Sequence, residues 1–131
     1  MFLASWVTPA SSADSFAPPS GFGGNVLNTA AERVQMPLAA NCTFDAMYVS
    51  GFLRAAGGSN YTYRISVAKA GVAQAVSCDI APITLNTTYT CSDTSHTVAF
   101  SAGDTLSVLL HVVSGTGSTP TFDVGVGLHC K

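Results

Sequence analysis

"FSAGDTLSVLLHVV", residues 100–113, sets a Gly-Asp turn directly against an apolar run. From Thr105 onward Leu106, Val108, Leu110 and Val112 fall on alternate positions. A period of two sends successive side chains to opposite faces, which is the signature of a strand and not of a helix. The same reading applies to "YTYRISVAK", residues 61–69, where Tyr61, Tyr63, Ile65 and Val67 alternate with Thr62, Arg64 and Ser66. It applies again to "FDVGVGLH", residues 122–129, where Phe122, Val124, Val126 and Leu128 oppose Asp123, Gly125, Gly127 and His129. Glycines along one face of a strand let a second backbone or a neighbouring subunit come close. Gly103 and Asp104 read locally as a hairpin turn, with Gly supplying a positive φ and Asp capping through its side chain.

Outward from these three strands, turn residues recur every 8 to 12 positions, the spacing of a sandwich or barrel. "TFDAMYVSGFL", residues 43–53, is apolar or small on both faces, with Phe44, Ala46 and Tyr48 opposite Met47 and Val49. That pattern predicts a strand covered on both sides, one of them by another subunit. "TAAERVQMPL", residues 29–38, reads as an edge strand with a bend because Pro37 removes a ladder donor; a short helix over its first half is the alternative. Residues 1–25 hold a Pro-, Gly- and Ser-rich stretch and are expected to form an arm or extended segment, followed by a single all-β domain over 26–131. No repeat of 20 to 50 residues is evident.

A chain of 131 residues is long enough for one domain with a real core. Its charge is unusually low: 9% Asp, Glu, Lys and Arg, against about 25% in typical soluble domains. No run approaches the roughly 18 to 20 apolar residues of a spanning helix, and the N-terminus lacks the basic and apolar regions of a signal peptide. The apolarity therefore calls for a hydroxyl-rich surface together with an apolar face buried against identical subunits. Five basic against seven acidic residues, with no basic cluster, exclude nucleic acid and anionic membrane surfaces as partners. Neutral ligands such as sugars, or other proteins, suit such a surface.

Four cysteines, Cys42, Cys78, Cys91 and Cys130, show none of the close spacing of zinc or redox motifs. Cys78 and Cys91 end two short extended segments, so a bridge between neighbouring strands closes a small loop worth roughly 3 kcal/mol. Cys42 and Cys130 then pair by elimination, bringing an early strand beside the last one. Four free thiols are the alternative. Oxidised pairs imply an extracellular or periplasmic setting.

The Gly103-Asp104 turn, the alternating apolar positions after it and the final "FDVGVGL" strand resemble the closing strands of the tumour necrosis factor-like and complement globular-head jelly rolls. The resemblance covers about Val98 to Leu128 in detail and the rest by strand count. It implies an antiparallel jelly-roll sandwich of about ten strands that assembles into a compact homotrimer around a threefold axis. In style the chain is similar to terminal domains of bacterial collagen-like surface proteins and to bacterial lectins of this fold, although it contains no Gly-x-y stalk.

That family resemblance and the composition together lead to the expectation of a secreted or cell-surface trimeric recognition module, a lectin or adhesin tip, with shallow sites between subunits. A structural trimerisation or coat domain, and a phage or virus fibre tip, are the alternatives. Sugar recognition needs an aromatic platform beside groups that bond hydroxyls. Trp6, Tyr89, Arg54 and Arg64 are the candidate ligand-binding residues, with Tyr61 assigned to the core. Asp93, Ser95 and His96 in "CSDTSH" carry the residue types of a hydrolase, but a triad gathers from distant segments, so they read as a solvated turn and no catalytic residue is assigned. No metal set or cofactor is assigned either; His96, Asp93 and Asp104 lack the layout of a calcium loop. His111 and His129 are read as interface histidines, and on a threefold axis three copies of either could hold an ion or titrate together. Asn41, Asn60 and Asn86 begin N-x-S/T sequences, a pattern frequent by chance in so Ser- and Thr-rich a chain.

Overall fold

The computed structural model describes residues 2–9, 14–18, 21–23, 34–57, 61–82 and 84–131. Among them the chain is all-β, with strands β1 (Phe2–Pro9), β2 (Ser15–Ala17), β3 (Gly21–Gly23), β4 (Met36–Pro37), β5 (Cys42–Ala55) and β6 (Thr62–Lys69). The order continues with β7 (Val72–Ile80), β8 (Thr88–Asp93), β9 (Val98–Phe100), β10 (Thr105–Ser114) and β11 (Thr121–Cys130). No helix of the described residues is long and apolar enough to cross a membrane. A first sheet runs β3-β1-β11-β5-β8, with β9 also on β5, and a second runs β2-β10-β6-β7, with β4 also on β10. All pairings are antiparallel except β1 with β3.

The inner faces of the two sheets share one core, and the period-two residues named above supply it. Phe44, Met47, Val49, Leu53, Val124, Val126 and Leu128 come from the first sheet; Tyr63, Ile65, Val67, Val76, Leu106, Val108 and Leu110 come from the second. Burying a Leu, Val, Ile or Phe side chain stabilises by about 1.5–3 kcal/mol, so this layer dominates the stability. Phe44 meets Phe100 edge to face with ring centroids 5.2 Å apart. Tyr61 stacks on Tyr63 and donates its hydroxyl proton to the Gly117 carbonyl at 2.9 Å. Gly115, at φ +138°, lies so close that any β-carbon there would strike the Tyr61 ring.

Both disulfides form as the spacing predicts, and no described cysteine is free. Cys42–Cys130 joins the paired ends of β5 and β11 within the first sheet, next to the reciprocal backbone bonds of Thr43 and Lys131. Cys78–Cys91 joins β7 to β8, the edge strands of the two different sheets on the same side of the molecule.

Three expectations change. The strand 43–53 does not keep one phase: a register shift opposite His129 and Cys130 makes Asp45 an extra residue, so Phe44 and Met47 both point inward while Tyr48 points out. Phe44 and Tyr48 therefore lie on opposite faces. The Gly103-Asp104 turn is not a hairpin, because β9 pairs with β5 in the first sheet and β10 belongs to the second. It is a corner between sheets, tied by Gly103 N–H to Leu38 O, by Leu38 N–H to Asp104 O and by the Asp104 carboxylate accepting from Ser101 N–H. Gly103 has φ +91°, as the turn requires. Finally, residues 2–9, 15–17 and 21–23, read as an arm, pair into the sheets as β1, β2 and β3. Of the stretch 29–38, Met36 and Pro37 pair with β10 as an edge strand, and its first five residues lie outside those described.

One patch on the outer face of the second sheet is buried within the chain. Phe16 of β2 and Val34 pack with Ala68 and Leu109 in a small second cluster, all four buried. This is why β6 is buried on both faces from Ser66 to Ala68 although its sequence alternates cleanly only before that point.

Candidate functional site, a groove on the outer face of the first sheet

The two central strands of the first sheet, β11 and β5, set Gly127 opposite Tyr48 and Gly125 opposite Ser50; β8 adds Ser92 beside Tyr48, Thr90 beside Ser50 and Thr88 beside Phe52. Because the glycines carry no side chain and the β8 residues are short, the rings of Tyr48 and Phe52 stand above a flat strip. They are 58% and 39% exposed. Among the described residues, charges sit only at the two ends of this strip. Arg54 pairs with Asp123 at one end. At the other, Asp45 accepts from His129 Nδ1 at 2.6 Å and from Lys131 Nζ at 2.9 Å. The hydrogen bond from His129, helped by that from Lys131, holds the Asp45 carboxyl below the usual carboxylate range.

A shallow groove of about 380 Å³ opens at this second end. Ala46 and Gly127 line it alongside Tyr48, with Asp45, His129 and Thr94 as its polar groups. An aromatic ring beside a carboxylate, an imidazole and a hydroxyl offers an apolar surface together with hydrogen-bonding groups. Of this set, the sequence marked only His129, as an interface residue. The partnership of Asp45 with His129 spans 84 positions and leaves no local signature.

The four residues singled out for ligand binding do not converge. Arg54 lies on the outer face of the first sheet and Arg64 on that of the second, with the sandwich between them. Arg64 bonds both oxygens of Asp79 across the β6–β7 pair, at 2.8 and 2.9 Å, so its partner is within the chain and not in a neighbouring subunit. Tyr89 packs partly buried against the core, its hydroxyl donating to the Thr84 carbonyl. Trp6 stands on β1 opposite Val124, and its side chain lies outside the described residues.

The "CSDTSH" turn is built around a buried carboxylate. Asp93 accepts from the backbone N–H groups of Ser77, Ser95 and His96 and from the Ser95 hydroxyl. Burial pushes its carboxyl up, but these donors together with the His96 ring outweigh it and hold Asp93 far below the usual carboxylate range. Asp93 and Ser95 both approach the same ring nitrogen, Nδ1 of His96, at 2.9 and 3.2 Å. A triad needs its serine and its carboxylate on opposite nitrogens, so this cluster caps a turn and lacks the relay geometry of a hydrolase. Asn41 accepts from Ala102 N–H; Asn86 sits at φ +56° in an exposed turn; Asn60 lies outside the described residues. Compared with known proteins, the chain matches no family model and no curated relative.

Proposed function

We propose that this chain is an extracellular jelly-roll subunit that assembles as a homotrimer through the outer face of the first sheet and serves as a recognition module for carbohydrate. The observation that carries this reading is the strip of Tyr48, Phe52, Gly125 and Gly127, uncharged between its two ends. With three strands about 4.8 Å apart and a rise of about 3.4 Å per residue from Ala46 to Phe52, the strip measures roughly 15 by 20 Å, about 300 Å², so its charged ends and neighbouring strands would have to add to it to reach the ~800 Å² each partner buries in a stable interface. Sheet orders of β1-β11-β5-β8 and β2-β10-β6-β7, with the first and last strands side by side, support the jelly-roll topology. Two disulfides support an oxidising compartment. The scarcity of charge across the chain suits a neutral, hydroxyl-bearing ligand.

One observation favours the second reading, a trimeric coat or scaffold domain without a small ligand: Arg54 and Arg64, the cations best suited to clamp a sugar, are both engaged by aspartates of the same chain. Light scattering coupled to size exclusion tests the assembly. The expected mass is three times the 13.4 kDa of the chain, falling to that of a single chain in Tyr48→Glu, and a wild-type monomer at micromolar concentration refutes the trimer. A glycan array probed with the trimer then separates a lectin from a coat domain.

A further inference from the structure

Two polar groups line the groove beside Tyr48, and each is fixed from behind by a carboxylate. Asp45 is ionised and can only accept, so the 2.6 Å contact places a proton on His129 Nδ1 and leaves the lone pair of the neutral ring on Nε2, on the far side of the imidazole. Lys131 holds the second oxygen of Asp45 at 2.9 Å and balances its charge. The other polar group is Thr94, exposed in the "CSDTSH" turn. Asp93, its buried neighbour, accepts from the N–H groups of Ser95 and His96, so the backbone is tied down on both sides of Thr94. The cluster that lacks a hydrolase's relay thus sets a hydroxyl at the groove.

Ala46 and Gly127 add little bulk to the lining, which leaves space in front of the exposed Tyr48 ring. Tyr48 also divides the groove from the rest of the strip: along β5 Ala46 lies on one side of it, Ser50 and Phe52 on the other. At about 380 Å³ the groove is of the size of small-molecule sites, roughly 300–1,000 Å³. Among the described residues its lining carries one charge, that of Asp45, which Lys131 neutralises. Every lining residue belongs to one chain, so the groove is complete without a second copy.

We propose that this groove binds a single neutral pyranose ring, whose C–H face lies on Tyr48 while one hydroxyl donates to His129 Nε2 and another shares a hydrogen bond with the Thr94 hydroxyl. The site rests on the carbohydrate reading above and not on the trimer. It needs no cation, so the engagement of Arg54 and Arg64 by aspartates does not count against it. An anionic sugar is disfavoured, because its carboxylate would approach that of Asp45.

The test is a nuclear magnetic resonance titration of the isotope-labelled full chain with the methyl glycosides of glucose, galactose and mannose, and with methyl glucuronide as the anionic control. The expected result is that at least one neutral glycoside binds at millimolar concentration and shifts the amide signals of Ala46, Thr94 and Gly127, while the glucuronide binds at least about tenfold more weakly. Thr94→Val should weaken binding about fivefold and His129→Ala about tenfold, each removing one hydrogen bond. Both side chains are exposed, and unchanged amide signals elsewhere in the sheets verify the fold. Binding that shifts other signals, or that survives both substitutions, overturns the groove as the site and leaves the carbohydrate reading standing. Equal binding of the glucuronide overturns the neutral class. If none of the four glycosides binds, the site falls, and a blank glycan array in addition overturns the carbohydrate reading itself.

Discussion

The two outer faces of this sandwich received similar apolar side chains and treat them differently. On the second sheet Leu109 and Ala68 point outward and are buried in a cluster with Val34 and with Phe16, the cross-strand neighbour of Leu109, whereas Val72 and Val113 of the same sheet stay exposed. On the first sheet Tyr48 and Phe52 point outward and stay exposed. Among the described residues, then, one outer face has a buried apolar patch and the other carries two bare aromatic rings. The bare rings are the part of the surface on which the proposed assembly rests.

The comparison can be broken by experiment. In the Tyr48→Glu background, chosen to remove the proposed association, Phe16→Ala should destabilise by about 3 kcal/mol, since it opens a cavity beside Leu109, whereas Phe52→Ala should cost less than about 0.5 kcal/mol. Equal losses in urea titrations would mean that the two faces are not different in kind. The seam between the sheets comes next. Asp93→Asn removes the charge that holds Ser77, Ser95 and His96 and should cost about 2 kcal/mol at neutral pH. Because the folded carboxyl titrates below its unfolded value near 3.9, its contribution is fully present above that pH and is lost as the pH falls through and below it. Wild type and Asp93→Asn should thus converge in stability toward pH 2, and parallel curves would assign the effect to packing. The smallest effect belongs to the exposed pair on the outer face of the second sheet: Arg64→Ala should leave the denaturation midpoint within error of wild type.

Much of this architecture is legible in the sequence where side chains alternate. Tyr61, Tyr63, Ile65 and Val67 enter the core as their spacing demands, and so do Leu106, Val108 and Leu110. The cysteine pairing also follows from the sequence, because Cys78 and Cys91 end two neighbouring extended segments. Alternation says nothing about where it slips. The extra residue at Asp45 reverses the phase of β5 midway, and nothing in "TFDAMYV" distinguishes it from an unbroken strand with both faces covered. Nor does a Gly-Asp turn reveal whether the next strand returns beside the last or crosses to another sheet; that depends on Leu38, bonded on both sides of the corner from more than sixty positions upstream. The site was the least visible part. Arg54 and Arg64 have the chemistry of ligand-binding residues, yet each is matched by an aspartate that only the register brings near. His129 and Asp45 meet for the same reason.

The Cys78–Cys91 bridge has a consequence for what this molecule avoids becoming. Strands β7 and β8 are the rims of their sheets, and an open rim is a template onto which another chain can add a strand without limit. Here the rims are fastened to each other, and the Ser77 N–H that faces away from β6 is already taken by Asp93. Growth along the hydrogen-bonding direction is hindered on that flank, which leaves the broad faces for the contact between copies proposed above. Reducing that one bridge should therefore be read in fibril formation, followed by thioflavin fluorescence, as well as in stability.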